Sequence, residues 1–389
     1  MKTETKVIHA GRHPEDFLGT VNTPVYRTST VICDSMAEWE SKQRQQTTFD
    51  EPELFYGRHG TPTSKTLQDA IAALEGGYKS FVYPSGVSAC ATAILAFASA
   101  DDHVLVPDNV YGPVRQIAGS ILKRFRINVE FYDPALGADI EKLFRPETRV
   151  VYTESPGSMT FEMQDIPAIA AVAHRHDAVV VMDNTWASPL YFQPFTKGVD
   201  ISVQAATKYI VGHSDVMMGM ITATQATYQR LKETTHELGL LASPDDCYLA
   251  QRGLRTLHVR LERHWKTGIR LAEFLARQPE VARVMHPVLP GDPGHALWKR
   301  DFTGASGLFA FEFRPELSAK RTAFVEALTL FCIGGSWGGY ESLILPLNPV
   351  RSLHSDVHSG TLVRIHAGLE SVDDLLADLE QAFVLIRQS

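Results

Sequence analysis

The chain has 389 residues, of which 44% are hydrophobic and 21% charged, and its formal net charge is −8 at pH 7. This composition is ordinary for a soluble globular protein, and the lack of a basic block argues against a nucleic-acid partner. The length predicts two domains rather than one small core, the first residues show no signal segment, and the longest apolar stretch, residues 89–100, is too short to span a membrane.

Residues 1–57 show no strong hydrophobic period, and the polar stretch 41–53 has the composition of irregular chain. A long arm without a core of its own usually packs against something else in the assembly. We therefore predict an irregular N-terminal arm over residues 1–57 that contacts a neighbouring subunit.

A helix is predicted next, with Thr63 or Ser64 as its cap and the pair Gly76-Gly77 at its end. Its apolar face carries Leu67, Ala70, Ile71 and Leu74, spaced as on one side of a helix.

A short strand, Phe81–Tyr83, is followed by a turn at Ser85-Gly86 and an apolar helix from about Val87. The free N–H groups and the dipole at a helix N-terminus favour a bound anion. The same pattern occurs in many plain turns between a strand and a helix, so this turn alone does not identify a site.

Five further apolar segments have the pattern of buried strands, and helical patterns separate most of them. They are residues 103–107, 128–132, 149–154, 178–182 and 199–203. Continuous apolar strands that alternate with helices predict a parallel sheet covered on both faces.

Three reactive side chains follow the carboxyl ends of these strands: Tyr111, Asp183 and Lys208. Such strand ends meet in one crevice of an open α/β sheet, where ligands bind. A partly desolvated lysine becomes a nucleophilic amine suited to a Schiff base. Asp183 and Lys208 are compatible with a plain salt bridge. They are equally compatible with the pair that pyridoxal phosphate needs, a lysine for its aldehyde and a carboxylate for its ring nitrogen.

The chain changes character near residue 246. The segment Asp245–Trp265 is a long, arginine-rich helical pattern that fits a bridge between domains better than an anion site. Strands are predicted at 281–286, 307–313 and 361–367, the last carrying Arg364, with a glycine-rich loop at 333–344 and a final helix that opens at Ser371. These elements predict a smaller α+β domain over 246–389, after a cofactor-binding α/β domain over 58–245.

Four cysteines, Cys33, Cys90, Cys247 and Cys332, are scattered without a CxxC pair. This usage predicts a reduced, cytoplasmic protein without a cysteine-based metal site. No GxGxxG fingerprint follows a strand, which disfavours a nicotinamide-dependent dehydrogenase.

Taken together, these residues resemble the Cys/Met-metabolism family of pyridoxal-phosphate enzymes along almost the whole chain. The resemblance implies the aspartate-aminotransferase fold (fold type I), with a large mixed, mainly parallel sheet domain and a smaller C-terminal α+β domain. The stretches that carry the resemblance are ELFYGRHGTPT, NTPVYRTST, ESPGS, MDNTWAS, QAATKYIVGHSD, RGLRTL, KRDFTGASGLF, SWGGYESLI and TLVRIHAGLE. Gly57-Arg58, Ser158-Met159 and Ala205 stand where the wider family usually has Ser-Arg, Asn-Pro and serine. At these places the chain is similar to the bacterial cystathionine β-lyase branch rather than to the γ-synthase and γ-lyase branches.

The resemblance implies a role for each cofactor-facing residue. Lys208 looks like the lysine that carries the cofactor and shuttles the proton, Asp183 like the partner of the pyridine nitrogen, and Tyr111 like the aromatic stacked on the ring. The phosphate would be held by the backbone of Gly86 and Val87 and by the Thr207 hydroxyl.

The family also implies the substrate side of the site. Arg364 matches the arginine that binds the substrate α-carboxylate, and Ser336 and Trp337 lie in the loop that lines the substrate. Tyr56 and Arg58 resemble a pair that reaches into the neighbouring subunit's site, with Arg58 on the phosphate. A homo-oligomer follows, in the family a tetramer built from dimers that share active sites.

The implied activity is β-elimination of L-cystathionine to homocysteine, pyruvate and ammonia, with other cysteine S-conjugates as further substrates. The alternatives are a γ-lyase or γ-synthase and a non-catalytic regulatory relative. The non-catalytic relative would be expected to lose Lys208 or Asp183, and both are present. Either Tyr56 or Tyr111 could tune the substrate amine, and His213 and His366 are interpreted as structural.

Overall fold

The structure is a computed structural model that describes residues 1–48, 54–353 and 360–388. Seven strands form its first sheet: β1 (Lys79–Tyr83), β2 (His103–Pro107), β3 (Asn128–Tyr132), β4 (Thr148–Glu154), β5 (Val179–Asp183), β6 (Ile201–Gln204) and β7 (Gly219–Ala223). Their order is β1-β7-β6-β5-β4-β2-β3. Strands β2 to β6 pair in parallel, whereas β7 is antiparallel to both β1 and β6. The predicted mixed, mainly parallel sheet is confirmed.

Helices cover both faces of this sheet because alternate side chains of its strands are apolar on each side. Eight helices accompany it: α1 (Thr3–His9), α2 (Met36–Thr48), α3 (Pro62–Glu75), α4 (Gly86–Leu95), α5 (Gly112–Ile117), α6 (Ile166–Arg175), α7 (Ser188–Tyr191) and α8 (Gln225–Glu237). In β2, Leu105 belongs to the core on one face, whereas Val104 and Val106 belong to the core on the other. Each fully buried valine or leucine side chain contributes roughly 1.5–3 kcal/mol to folding.

A second, five-stranded sheet follows in the chain. Its strands are β8 (Val281–Met285), β9 (Leu308–Phe313), β10 (Cys332–Ile333), β11 (Leu343–Pro346) and β12 (Leu362–His366), in the order β10-β11-β12-β9-β8. Helix α9 (Pro244–Arg255) packs against α1 and α3 of the first sheet region. The helices that accompany the second sheet are α10 (Leu257–Leu275), α11 (His295–Asp301), α12 (Arg321–Ala327) and α13 (Val372–Gln388). Phe309, Phe311 and Phe313 alternate along β9 and pack with Phe383 of α13 in one core. None of the described helices is long and apolar enough to cross a membrane.

The prediction of an irregular arm over residues 1–57 is wrong in part, because α1 and α2 lie there. Helix α1 buries one apolar side chain, Val7, so it shows little periodicity in the sequence. Arg255 of α9 holds it by donating to the carbonyl oxygens of Val7 and Ala10 at 2.8 and 3.0 Å. The stretch 49–53, also predicted to be irregular, lies outside the described residues.

Helix α3 begins earlier than predicted. Its cap is Thr61 rather than Thr63 or Ser64, since the Thr61 N–H donates to the Ser64 hydroxyl at 2.9 Å and the Ser64 N–H returns to the Thr61 hydroxyl. Pro62 then occupies the first helical position, where its fixed φ angle suits the helix and its missing N–H costs nothing.

Candidate active site

Lys208 lies in the turn that leaves β6, and Asp183 is the last residue of β5. The two strands are parallel neighbours, with Asp183 paired to Val203. The Lys208 N–H donates to the Ala205 carbonyl at 3.0 Å, and the Lys208 carbonyl accepts from Gly212 at 2.8 Å. This compact turn places the lysine above the same sheet edge as the aspartate, as the sequence predicts.

The amine of Lys208 is held between a hydroxyl and an aromatic ring. Its Nζ donates to the Ser336 hydroxyl at 2.6 Å and lies 5.2 Å from the centre of the Trp337 ring. Burial lowers the pKa of Lys208 to about 8, the positive charge of Arg364 acts in the same direction, and the carboxylate of Asp183 opposes both. A lysine with a lowered pKa can act as a nucleophile or a base near neutral pH.

In cofactor-free protein, the reactivity of the Lys208 amine should rise as the pH rises through about 8. Acylation of each lysine, followed by mass spectrometry across a pH series, measures this directly. Surface lysines have a pKa near 10.4 and should still be gaining reactivity where Lys208 has levelled off. A Lys208 profile that runs parallel to theirs would contradict the lowered pKa.

Asp183 and Glu154 form a pair of buried carboxyl groups, in register on β5 and β4. Thr185 donates its N–H and its hydroxyl to Oδ1 of Asp183 at 3.0 and 2.5 Å. The Cys90 thiol makes a long contact with Oδ2 at 3.9 Å, so Oδ2 is the more weakly bonded oxygen and the one that a ligand can use. Burial and the charge of Asp183 raise the pKa of Glu154 to about 8. Burial raises the pKa of Asp183 as well, but the Thr185 hydrogen bonds and the charge of Lys208 oppose that rise. Burial therefore favours a proton on Glu154, whereas the Thr185 hydrogen bonds and the charge of Lys208 favour the charged form of Asp183.

Sequence reasoning missed Glu154. The signal was available, since Glu154 ends its strand as Asp183 ends the next one. Its Oε2 accepts the backbone N–H of Tyr111 at 2.7 Å, and this bond fixes the loop after β2. Burial raises the pKa of the Tyr111 hydroxyl, the negative charge of Asp183 acts in the same direction, and the positive charge of Arg364 opposes both. The Tyr111 ring therefore lies near Asp183 and Arg364.

Arg364 of β12 faces the loop that carries Ser336 and Trp337. Its Nη2 donates to the carbonyl oxygens of Ser336 and Gly334 at 2.9 and 3.1 Å. The backbone of this loop also lies directly against Lys208. At Gly338, where φ is +90°, an added Cβ would come within 2.9 Å of the Lys208 Cα.

His366 lies two residues beyond Arg364 on β12 and supports the same loop. Its Nε2 is 3.1 Å from the N–H of Gly338. This contact holds the glycine loop that lies against Lys208, which is consistent with the interpretation of His366 as structural.

The first turn of α4 has the features of an anion site. Ser85 caps it in a reciprocal arrangement with Ser88, and the first N–H groups of a helix, here those of Gly86 and Val87, have no partner within the helix. An added Cβ at Gly86 would lie 2.8 Å from Ala205 Cβ, so the glycine brings this turn against the Lys208 turn. The Thr207 hydroxyl accepts the Met218 N–H at 2.8 Å.

These groups fit pyridoxal phosphate. The turn at Gly86 suits the phosphate, the lysine amine suits the aldehyde, and Oδ2 of Asp183 suits the protonated ring nitrogen. Lys208, Asp183, Tyr111, Arg364, Ser336 and Trp337 are brought together within this one chain.

Tyr56 and Arg58 lie elsewhere. Tyr56, 38% exposed, borders a cleft of about 640 Å³ that His59 and His236 also line. Arg58 donates to the His236 carbonyl at 2.9 Å. Among the contacts of the described residues, none joins Tyr56 or Arg58 to Lys208, Asp183 or Arg364.

Comparison with known proteins points to one group of enzymes. The family described as Cys/Met metabolism PLP-dependent enzymes matches residues 4–384. A putative cystathionine beta-lyase of Rhizobium johnstonii is 48% identical over 385 residues, which cover 97% of this chain and 95% of the relative. The cystathionine beta-lyase MetC of Escherichia coli is 43% identical over 393 residues, which cover 99% of each chain.

A solved structure gives the same result for the fold. The cystathionine gamma-lyase of Lactobacillus plantarum, crystallised with L-serine, superimposes with a TM-score of 0.90 at 30% sequence identity, over 99% of each chain. The similarity therefore extends over both sheets.

Proposed function

The chain belongs to the Cys/Met metabolism family of PLP-dependent enzymes, and on that premise we propose that it cleaves L-cystathionine by β-elimination. The products are homocysteine, pyruvate and ammonia, which places the reaction at the supply of homocysteine for methionine biosynthesis. The observation that carries this proposal is the identity of 48% and 43%, over nearly the whole chain, to proteins named cystathionine beta-lyase.

Lys208 and Ser336 handle the proton in this reaction. The amine of Lys208 removes the proton from the substrate Cα, and the Ser336 hydroxyl, 2.6 Å away, fixes the direction of that amine. With a pKa of about 8, the lysine is partly neutral near physiological pH, which a general base requires. The same lysine can return the proton to a later species.

Pyridoxal phosphate, when bound, supplies a sink for the electron pair that Cα retains after losing its proton. Asp183 keeps the proton on the ring nitrogen, and Tyr111 packs on the ring. The backbone of Gly86 and Val87, with the Thr207 hydroxyl, holds the phosphate.

Arg364 binds the substrate α-carboxylate through its planar guanidinium, and Trp337 lines the substrate side. An Arg364→Ala variant should show a KM about 10- to 100-fold higher, with a smaller loss in kcat, because hydrogen bonds to charged groups contribute about 1.5–3 kcal/mol. Steady-state kinetics with L-cystathionine measures the split. Arg364→Lys keeps the charge but cannot bind a carboxylate through two parallel hydrogen bonds, so its KM should fall between those of the parent and the alanine variant. An unchanged KM in the alanine variant would remove Arg364 from this role.

Product identification tests the reaction. Purified, cofactor-loaded protein is incubated with L-cystathionine and the products are identified by mass spectrometry. Pyruvate with homocysteine is the expected result. Detection of oxobutyrate with cysteine would show that the reaction is a γ-elimination instead. Proton exchange or inversion at Cα without cleavage would overturn the lyase proposal itself. Cystine and other cysteine S-conjugates, assayed in parallel, define the substrate range.

The position of Tyr56 and Arg58 supports a homo-oligomer in which each subunit completes its neighbour's site, a tetramer built from dimers. Light scattering of the purified protein measures the mass, and a monomer at all concentrations would exclude shared sites. The proposal includes the division into an arm (1–57), a cofactor-binding domain (58–245) and a C-terminal domain (246–389). Limited proteolysis should give cuts near residue 57 and in the loop that precedes α9. The proposal also includes a cytoplasmic location, which cell fractionation tests.

A further inference from the structure

A cluster of charged side chains with a buried centre connects the loop after β2 to the segment after β11, and the mechanism above does not use it. We call it the Asp108 clasp, and its members are Asp108, Arg115, Glu162 and Arg351. The side chains of Arg351 and Asp108 are 3% and 0% exposed. Two arginines and two carboxylates leave the clasp electrically balanced.

Asp108 is the centre of the clasp. Its Oδ2 accepts Nε of Arg351 at 3.0 Å and its Oδ1 accepts Nη2 of Arg115 at 2.7 Å. The backbone N–H groups of Ser352 and Leu353 also donate to it, at 2.7 and 3.1 Å. Burial disfavours the charge, but the hydrogen bonds from Ser352, Leu353 and the arginines outweigh burial and lower the pKa of Asp108.

Arg351 also reaches the far side of the β2 loop. Its Nη1 donates to Oε1 of Glu162 at 2.9 Å, and Oε2 of Glu162 accepts the Asn109 side-chain amide at 3.1 Å. Asn109 fills the space beside Gly157, where an added Cβ would lie 2.0 Å from its amide nitrogen. Arg351 therefore binds the Asp108 side chain directly and the Asn109 side chain through Glu162.

Tyr111 follows these residues, with Val110 between them. Its N–H is bound to Glu154, and the chain before it is bound through Asp108 and Asn109 to Arg351. On the other side, Arg351 belongs to the connection between β11 and β12, and β12 carries Arg364. Arg351 thus links the loop that carries Tyr111 to the connection that precedes the strand of Arg364.

We infer that Arg351 is a positioning residue, which sets the place of Tyr111 through Asp108 and Asn109. The inference rests on the proposed function for the role of Tyr111. A clasp that served stability alone would not need to converge on Asp108 and Asn109, which lie three and two positions before Tyr111.

Replacement of Arg351 by glutamine tests this inference. The variant should release cofactor faster than the parent, lose part of the circular dichroism of the bound cofactor, and show faster amide exchange over residues 108–113 in the cofactor-free protein. Turnover should fall roughly 10- to 100-fold, since small misplacements of active-site groups cost this much. Arg351→Lys keeps a charge beside Asp108 without the second arm to Glu162, and it should recover part of each signal.

Arg300 offers a matched control, because it is another paired arginine that connects the two sheet regions. It binds Asp165 and Asp301 through several hydrogen bonds. Arg300→Gln should lower the unfolding temperature while leaving cofactor dichroism and turnover within about twofold of the parent. If Arg351→Gln behaves in this same way, the clasp is structural only and the inference is overturned.

Two further choices keep the test decisive. If Arg351→Gln does not fold, Glu162→Gln weakens one arm of the guanidinium and should give the same changes in smaller measure, whereas an unchanged cofactor signal would count against the inference. Cofactor release and amide exchange do not depend on which bond of a substrate breaks. A failure of the β-elimination proposal is therefore distinguishable from a failure of the positioning role.

Discussion

Substitution of Lys208 by alanine should reduce turnover of L-cystathionine by at least about 10³-fold, because it removes both a nucleophile and a general base, and the base alone contributes 10²–10⁴-fold in typical enzymes. The half-buried amine lies 2.6 Å from the Ser336 hydroxyl, and the neighbouring Arg364 cannot replace it as a base because an arginine does not give up its proton. The visible absorbance of the lysine-bound cofactor should disappear together with the activity. Steady-state assays and an absorbance spectrum of the purified variant measure both effects.

Two companion variants separate the chemistry from the charge. Lys208→Arg keeps a cation in the turn but cannot give up its proton, so it should be as inactive as the alanine variant. Lys197, which pairs with Asp301 at 3.0 Å, can be changed to alanine to show that loss of a partly buried lysine does not by itself abolish turnover. A normal rate in Lys208→Ala would end the assignment.

Asp183→Asn is expected to lower kcat roughly 10²- to 10³-fold, the range seen when a preorganised electrostatic group is removed. Asparagine has the shape of aspartate and can still accept from Thr185, so the site should keep its form. It has no charge to hold a proton on the ring nitrogen, and the electron sink weakens. The measurement is kcat together with the absorbance spectrum of the bound cofactor.

Glu154 provides the comparison for that variant. The pKa of Glu154 is about 8, so this carboxyl is mostly protonated at pH 7, and Glu154→Gln imitates the form already present. Its turnover should therefore stay within about tenfold of the parent. If Asp183→Asn were active and Glu154→Gln inactive, the two acids would have exchanged the roles described here.

The parts of the fold that follow from local pattern were predictable. Parallel strands show as continuous apolar runs, and the residues at their carboxyl ends must share one edge of the sheet. The sequence alone therefore predicts that Asp183, Lys208 and Tyr111 lie together. Strand β7 was not predicted, although all five of its residues are buried. Its sequence, GMITA, is short and offers no period to read.

The missed parts of the site depend on contacts between distant stretches of chain. Arg351 meets Asp108 across most of the sequence, and no spacing rule connects an arginine after a short strand to an aspartate in another sheet's loop. The support of the Ser336 loop by His366 is hidden for the same reason. Pattern reasoning placed groups that one sheet edge brings together, but it could not place groups joined by the packing of two sheets.

The antiparallel pairing of β1 with β7 has a consequence for how the chain matures. β1 is an edge strand whose Phe81 pairs with Ile221 of β7. During synthesis β1 therefore cannot pair until β7 has been translated, more than a hundred residues later. Gly219 of β7 lies against the Ser85 carbonyl, where an added Cβ would be 2.2 Å away, so the phosphate-binding turn is shaped by that late strand. Closing so long a loop is slow. Nascent chains that end before β7 should be unable to capture the cofactor, and uptake should begin only after the first sheet is complete.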